Sequence, residues 1–578
     1  MFFSKNKNLK NRNEMKNVKI SKKIGFLSVI LLTIGSSIGA GIFFKNNEVV
    51  RNATFLNNPT GTITLTILSW VIASISVIAM ALALLEIVSA QKDDRGIVGW
   101  TKIFTHKVIY KSCKNFFVYL YMPFNYFVLP YYALQSFQNA IGFDWPWFVY
   151  MIVSFFISTW FIFISGLSSK IGNIQNWIIT LVKFLPLIFA ILIGYIIVGF
   201  PSTSGIFPSL PPSPTEQFPN ALSGNPFNVL NPGLGLILSI PAIFFAFDGF
   251  YVAAGIQSQV KNPKRTSLAL GIGLAITSFV YMLITISIII VSNGFGNFES
   301  SGNIQSNGIT QWFFENNATA VLVLINFIIG FGILGIINGF SMYSPLLYED
   351  LIRDKEIPFT SKFIHKLNKN RPWVGIWVSY IIAMIVFIVF SLVGSLTYFN
   401  SSEYGDTLNL VSLISFTGTW TEVLSSTTLK VNIDPEVNNL FSMVDLMANW
   451  ASLFAFVYIG AAIIGAIINR KTKKIEVKKS KFFLIAAWTS AIVVNLGMLF
   501  VFIGAFSNLI MVAFNFQSYV INNGSAQATI ILNGQVARFI VLMIFIAIAF
   551  LPIFWDKYSE KRNQIEESEL KIIKKKKC

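Results

Sequence analysis

About twelve stretches of this chain hold roughly 20 apolar residues each, which is the length a helix needs to cross the hydrocarbon core of a bilayer. Hydrophobic residues make up 54% of the sequence and charged residues only 12%, whereas soluble globular proteins carry about 25% charged residues. We therefore predict an all-α membrane protein with about twelve transmembrane helices, named spans 1 to 12. They lie near residues 24–44, 62–90, 115–139, 146–167, 172–199, 233–257, 267–292, 318–346, 374–398, 441–468, 482–506 and 535–555.

Basic residues are concentrated on alternate connections between these spans. Lys and Arg cluster before span 1, between spans 2 and 3, 8 and 9, and 10 and 11, and after span 12, whereas the loops at 201–232 and 292–317 contain neither. This alternation follows the positive-inside rule, so we predict that both termini are cytoplasmic. Because topology accounts for the net charge of +18, we expect no nucleic-acid partner.

Spans 1 and 6 contain residues that interrupt a plain transmembrane helix. Span 1 carries Gly35, Gly39 and Gly41 within a short stretch, and span 6 carries Asp248 and Gly249 inside an apolar run. A glycine destabilises a helix interior by about 1 kcal/mol, and a carboxylate near the middle of the membrane costs roughly 2.5–3.5 kcal/mol. The two spans run in opposite directions, and this pattern indicates an inverted-repeat transporter whose broken helices line a central cavity. The alternative, that the small residues only allow close helix packing, stays open.

The residues around these interruptions carry a resemblance to a known family. Ile34–Phe43 resembles the glycine-rich motif of the amino acid–polyamine–organocation superfamily, and Phe244–Phe250 resembles its span 6. The exit of that span at Val260–Arg265 and the span 5 pattern of Gln175–Trp177 followed by Lys183 are also similar to the family.

The resemblance implies a leucine-transporter-type fold, in which ten core spans form two inverted repeats of five and helices 1 and 6 are discontinuous. We accordingly predict a core transporter domain at 24–468 with an external insertion at 399–440. Two peripheral spans follow at 469–555, and basic cytoplasmic tails lie at 1–23 and 556–578.

The resemblance also implies that an amino acid binds at the two helix breaks. Amides where span 1 resumes would bind its carboxylate, aided by the positive end of the helix dipole, and free carbonyls at the broken ends would accept from its ammonium group. Ala40 and Gly41 would supply the amides, and Ser37, Phe245 and Asp248 the carbonyls. The substrate-binding residues expected from the resemblance are Ser37, Gly39, Ala40, Gly41, Phe245, Phe247, Asp248 and Gly249.

Three further residues have roles that the sequence leaves open. Lys183 lies about 16 Å into span 5 at 1.5 Å per residue, where an ionised lysine is costly unless it is paired or solvated. The resemblance implies that Lys183 replaces the sodium ion of sodium-coupled relatives, next to spans 1 and 8, either as a proton-coupling group or as a permanent brace of span 1. Phe247 is either a gate of the side-chain pocket or ordinary packing. Tyr251 stands where the family often has an acidic residue, so no gating ion pair is inferred from this part of span 6.

These features predict a secondary active transporter of L-amino acids in the plasma membrane, working by proton coupling or by exchange. Two alternatives stay open, namely a polyamine or organic-cation carrier and an amino-acid sensor that does not transport. Because the predicted spans contain neither His nor Cys, we expect no enzyme, no catalytic residue, no metal site and no cofactor. The expected partners are a small amino acid, protons and the lipid bilayer.

Overall fold

The computed structural model describes most of the membrane domain. The predicted tails, the loop at 201–232, residues 399–434 of the predicted insertion, and Gly39 and Ala40 of the predicted site lie outside the described residues. The described residues are 24–38, 41–42, 45, 49, 59–91, 93–141, 145–199, 236, 239–262, 265–291, 319–358, 360–368, 370–396, 435–523, 525, 529, 532–533, 535–537 and 539–554.

Helices account for the regular structure of this part of the chain, apart from one isolated β-bridge between Ile24 and Val260. Within the described ranges, nine helices are long and apolar enough to cross a membrane. They correspond to the predicted spans 2, 4, 5 and 7 to 12. Their bounds are Pro59–Ala90, Trp147–Leu167, Ser169–Gly199, Thr266–Val291, Thr319–Arg353, Trp373–Leu396, Pro435–Thr472, Phe483–Phe514 and Gln535–Phe554.

Spans 1, 3 and 6 are helical but irregular. Span 3 begins earlier than predicted and contains a π-helical turn, and spans 1 and 6 are interrupted as the sequence predicts. Their helical segments are Phe26–Ser37 in span 1, Lys107–Phe116, the π-helix Phe117–Tyr121 and Met122–Ile141 in span 3, and Ile240–Phe247 and Val252–Gly255 in span 6. Each predicted span therefore has a helical counterpart among the described residues.

Helix packing relates the first five spans to the second five. Span 2 packs against span 7, span 3 against span 8, and span 4 against span 9. Other contacts repeat when each span is replaced by its counterpart five spans away. Span 3 contacts span 9, and their counterparts, spans 8 and 4, also contact each other. Span 1 contacts span 5, and their counterparts, spans 6 and 10, do so too. An inverted repeat of five spans produces this exchange of partners. The predicted leucine-transporter-type fold with discontinuous spans 1 and 6 is therefore confirmed.

One side of this bundle carries the loops 91–96, 354–372 and 473–482, and it is called the basic side below. Span 1 starts and span 6 ends there, because the Ile24 amide donates to the Gln259 carbonyl at 3.1 Å and the Lys261 amide donates to the Ile24 carbonyl at 2.8 Å. The interruptions of both spans consequently lie in the interior of the bundle, between the basic side and the opposite side.

Candidate substrate site at two helix breaks

The two breaks expose main-chain polar groups that a continuous helix would use. The first helix of span 1 ends at Ser37, and Ile38 is extended, with φ −77° and ψ 112°. The first helix of span 6 ends at Phe247, and Asp248 is extended, with φ −61° and ψ 151°. Each helix end leaves carbonyl oxygens without an intrahelical donor, so the breaks supply acceptors for a ligand or for side chains.

Glycines bring the two breaks into contact with each other. Gly249 has a φ of +91°, which disfavours any residue with a side chain, and a Cβ at this position would overlap the carbonyl oxygen of Ser36. A Cβ on Gly41 would overlap the backbone of Ala246. Both glycines, which the sequence analysis placed in the substrate site, are therefore required by close contact between spans 1 and 6.

Tyr281 of span 7 joins the two breaks. Its hydroxyl lies 3.2 Å from the Ser37 carbonyl oxygen and 2.8 Å from the Ala246 carbonyl oxygen. A tyrosine hydroxyl carries a single hydrogen, so it satisfies one of these carbonyls at a time. When the hydroxyl donates to the nearer Ala246 carbonyl, the Ser37 carbonyl is left as an acceptor, and the resemblance implies that this carbonyl binds the ammonium group.

The two predicted aromatic residues occupy different surroundings. Phe247 is fully buried and packs its ring against Tyr281 at 5.2 Å and against Trp70 at 6.4 Å between ring centroids. Phe245 is half-buried, and its ring centroid lies 6.0 Å from that of Tyr132. Phe247 therefore belongs to a packed aromatic cluster beside the breaks, while Phe245 faces the region towards the opposite side.

Lys183 lies where the resemblance implies. It is 2% exposed, whereas Leu181, two residues earlier on the same helix, is 74% exposed, so span 5 turns the lysine into the bundle. The ammonium group donates to the Gly35 carbonyl at 2.7 Å and to the Ile38 carbonyl. A Cβ on Gly335 of span 8 would sit 3.4 Å from that nitrogen. Lys183 thus contacts spans 1 and 8 at the break, and its role in coupling stays a prediction.

The carboxylate of Asp248 also takes part in the site, whereas the sequence analysis assigned a role only to its carbonyl. It accepts hydrogen bonds from Tyr121 of span 3 at 2.6 Å and from Ser452 of span 10 at 2.7 Å. Tyr251 approaches it to 3.0 Å and the Gly249 amide to 2.8 Å. No local pattern indicates Tyr121 or Ser452, because their approach to span 6 is a product of helix packing.

A buried ion pair lies between the breaks and the opposite side. Lys45 of span 1 pairs with Asp445 of span 10, and Tyr132 of span 3 donates to the same carboxylate at 2.9 Å. The Lys45 ammonium also lies 5.5 Å from the ring centroid of Phe245. The sequence analysis missed this cluster, although a charged residue inside an apolar span is a recognisable signal of function.

Hydrogen bonds join the discontinuous spans to their neighbours on the basic side. Asp94 in the connection between spans 2 and 3 accepts from the Ser258 amide at the end of span 6 at 2.8 Å. The Asp94 amide donates to Asp350 of span 8 at 2.8 Å. Together with the bonds between Ile24 and the end of span 6, these contacts fix the start of span 1 and the end of span 6 to their surroundings on the basic side.

An ionic network surrounds these hydrogen bonds on the basic side. Arg95 pairs with Asp354, and Lys102 reaches Asp354 at 2.7 Å and Glu356 at 2.8 Å. Burial acts to lower the pKa of Arg95, but Asp93 and Asp354 outweigh it and the pKa is raised. Burial acts to raise the pKa of Asp354, but hydrogen bonds from Lys102 and Arg95 outweigh it and the pKa is lowered. Both shifts favour the charged forms, which stabilise the network.

No group of three or more His, Cys, Asp or Glu residues that would hold a metal ion occurs among the residues that the structure describes. The donor set at the breaks instead consists of main-chain carbonyls and amides, hydroxyl groups and one carboxylate. Such groups suit a small polar molecule that carries both donors and acceptors.

Comparison with known proteins identifies relatives that cover most of the chain. The family described as "Amino acid permease" matches residues 24–546. An uncharacterized protein of Mycoplasma pneumoniae is 35% identical over 574 residues, which cover 94% of this chain and 95% of that protein. The serine/threonine exchanger SteT of Bacillus subtilis is 21% identical over 372 residues, which cover 64% of this chain and 77% of SteT.

Solved structures of transporters are similar at low identity. MhsT in complex with L-phenylalanine gives a TM-score of 0.45 at 15% identity, covering 83% of this chain and 98% of that chain. A manganese transporter of Eremococcus coleocola gives a TM-score of 0.46 at 13% identity, covering 93% and 98%. The family match includes both helix breaks and reaches into span 12, and on this match the chain belongs to the amino acid permease family.

Proposed function

We propose that this protein is a secondary active transporter that moves L-amino acids across the plasma membrane by alternating access. The observation that carries the proposal is the contact between two interrupted helices inside the bundle. Irregular backbone at membrane depth is stable only where it is buried in protein or faces a cavity or ligand. Gly41 and Gly249 hold the two breaks together, and both positions exclude a side chain.

The proposed binding mode uses both charged groups of an amino acid. The amides of Ala40 and Gly41, which follow Gly39 in span 1, bind the carboxylate. The carbonyls of Ser37 and Phe245 accept from the ammonium group. Phe247, Gly249 and the backbone of Asp248 complete the wall on the side of span 6. The Ser37 carbonyl, which is the more distant of the two carbonyls beside the Tyr281 hydroxyl, supports this arrangement.

Alternating access requires that each barrier opens in turn while the other stays closed. The barrier on the opposite side is the Lys45–Asp445 pair, which links span 1 to span 10. The barrier on the basic side consists of the bonds from Ile24 and Asp94 to the end of span 6. We propose that the basic side faces the cytoplasm, because loops rich in Lys and Arg remain on that side.

The mode of coupling is either proton symport or exchange. The name of the exchanger SteT supports exchange. The position of Lys183 at the break of span 1 supports a coupling or bracing role for this residue.

Uptake of radiolabelled L-amino acids into proteoliposomes, with and without an inward proton gradient, tests the proposal. Lys183→Ala is compared with Leu181→Ala, which changes an exposed residue of the same helix.

We expect the wild type and Leu181→Ala to accumulate amino acids in the proteoliposomes and Lys183→Ala to lose this accumulation. Saturable binding without accumulation would instead indicate an amino-acid sensor. Competition by a decarboxylated analogue as strong as that by its parent amino acid would indicate an organic-cation carrier, because such a carrier needs no amides for a carboxylate.

A further inference from the structure

The carboxylate of Asp248 has no task in the binding mode proposed above, which uses only the backbone of this residue. Each of its oxygens has two close partners. The Gly249 amide and the Tyr251 hydroxyl lie 2.8 and 3.0 Å from Oδ1, and the Tyr121 and Ser452 hydroxyls lie 2.6 and 2.7 Å from Oδ2. These partners are all neutral, and no Lys, Arg or His among the described residues forms an ion pair with Asp248.

Counting hydrogens shows that this arrangement lacks one proton when Asp248 is ionised. The Tyr251 hydroxyl also contacts the Tyr121 hydroxyl, so Oδ1, the two tyrosine oxygens and Oδ2 are joined by three successive contacts. Two tyrosines bring only two hydrogens. With an ionised carboxylate, one contact joins two oxygen atoms that present lone pairs to each other. A proton on Asp248 supplies the third hydrogen and satisfies every contact.

A proton fits this position better than the ammonium group of a substrate. The two carboxylate oxygens already have four neighbours at 2.6–3.0 Å, which is about the number of acceptor positions a carboxylate offers. An ammonium group would have to displace one of them. A hydrogen placed between Asp248 and Tyr251 requires no displacement, because the two oxygens are already at hydrogen-bond distance.

Charged and titratable groups on the neighbouring spans have partners elsewhere. Lys45 of span 1 pairs with Asp445 of span 10, and Glu86 of span 2 pairs with Arg470. Lys183 of span 5 donates to the Gly35 and Ile38 carbonyls. Buried tyrosine hydroxyls of spans 7, 8 and 10 also have partners elsewhere, namely Tyr281 at the Ser37 and Ala246 carbonyls, Tyr343 and Tyr348 at the Arg95 and Val118 carbonyls, and Tyr458 at Ser112.

Local structure positions the ring. Tyr121 is the last residue of the π-helical turn Phe117–Tyr121, and the side chain of Asn125 donates to its carbonyl at 2.7 Å. Single π-turns inside α-helices occur frequently at functional sites. The extended backbone of Asp248, with ψ 151°, places the Gly249 amide 2.8 Å from Oδ1 of Asp248. The ring therefore connects the break of span 6 to span 3, and Ser452 connects it to span 10.

We infer that Asp248 takes up and releases the proton that drives amino-acid transport, and that Tyr121 and Tyr251 form the hydrogen-bonded ring that holds this proton. The inference rests on the proposed function, selects its proton-coupled form, and assigns the titrating role to Asp248 rather than to Lys183. In this structure the proton completes the ring between spans 3 and 6. When one barrier opens, water accepts the proton from the carboxyl group, and the ring loses the hydrogen bond between Asp248 and Tyr251 at the break of span 6.

Infrared spectroscopy of the full chain in lipid nanodiscs tests the protonation directly. We expect a carbonyl stretch of a protonated carboxyl group at neutral pH that shifts with ¹³C-labelled aspartate and is absent in Asp248→Asn. Tyr251→Phe removes one member of the ring and shifts this band, whereas Tyr131→Phe, whose hydroxyl bonds to Ser391, does not. A wild-type spectrum without an aspartate-dependent band, or a band that persists in Asp248→Asn, would overturn the inference.

Transport provides the second test, expressed as the ratio of uptake with and without an inward proton gradient. We expect a ratio several-fold above one for the wild type and for Leu181→Ala, and a ratio of one for Asp248→Asn. Wild-type uptake that does not depend on the gradient would contradict the inference. A loss of uptake in Asp248→Asn that affects only basic amino acids would also contradict it. If the wild type takes up no amino acid, the proposed function fails, and the infrared result still decides whether Asp248 is protonated.

Discussion

Lys45 and Asp445 form a buried ion pair between span 1 and span 10, although 400 residues separate them in the sequence. Removing one member of a buried pair destabilises a protein by roughly 3–5 kcal/mol, whereas replacing both by apolar residues is often neutral. We therefore expect Asp445→Asn to lower the midpoint of thermal inactivation in detergent, and the double variant Lys45→Met, Asp445→Leu to recover most of the loss. Equal midpoints for the two variants would contradict the role of the pair.

Gly249 and Gly271 make a matched pair of glycines. Gly249→Ala is expected to impair transport and to destabilise the protein by roughly 1–3 kcal/mol, because a positive φ strains alanine and its Cβ overlaps the Ser36 carbonyl. Gly271 lies inside span 7 with open space around its Cβ position, so Gly271→Ala is expected to be neutral or to stabilise by up to about 1 kcal/mol. Uptake assays and thermal inactivation of both variants provide the measurement. Equal behaviour would show that the contact between spans 1 and 6 is unimportant.

The hydroxyl of Tyr281 is expected to support substrate binding through the two breaks. Tyr281→Phe removes a hydrogen bond worth about 1 kcal/mol, which corresponds to a roughly fivefold increase in KM for amino-acid uptake. Tyr131→Phe is the control, since it removes a buried bond of 2.8 Å to Ser391 between spans 3 and 9. A similar increase in KM in both variants would indicate a general loss of packing rather than an effect at the breaks.

Asp354 is expected to make stability depend on acid pH. Its pKa is lowered below the ordinary value of 3.8, so the ionised carboxylate stabilises the folded state at neutral pH. This contribution is lost as the pH falls below that value and through the lowered one. Asp354→Asn should therefore inactivate at a lower temperature than the wild type at pH 7, and the difference should shrink below about pH 4.

A control for this pH experiment lies on the same side of the protein. Glu476 is exposed in the loop 473–482 and forms no ion pair among the described residues. Glu476→Gln is expected to follow the wild-type curve at every pH. A difference in inactivation temperature between the wild type and Asp354→Asn that stays constant down to acid pH would show that the network stabilises the protein by packing rather than by charge.

The membrane class, the number of spans and the two breaks were predictable, because each follows from local properties of the chain. A run of apolar residues is a helix in a bilayer wherever it occurs. Three glycines in span 1 and the Asp248–Gly249 pair in span 6 weaken their helices regardless of what surrounds them. The position of Lys183 beside span 1 required the resemblance to known permeases in addition, since nothing in span 5 alone indicates its neighbour.

Only the tertiary structure decided what the buried polar groups contact. Tyr121 reaches Asp248 across 127 residues of sequence, and Ser452 does so across 204. The sequence determined which spans must cross the membrane and where two of them break, because hydrophobic length and glycine content act locally. The tertiary structure decided which hydroxyl, carboxylate and ammonium groups share a site, because inside a membrane each buried polar group must find its partner on whichever helix packs beside it.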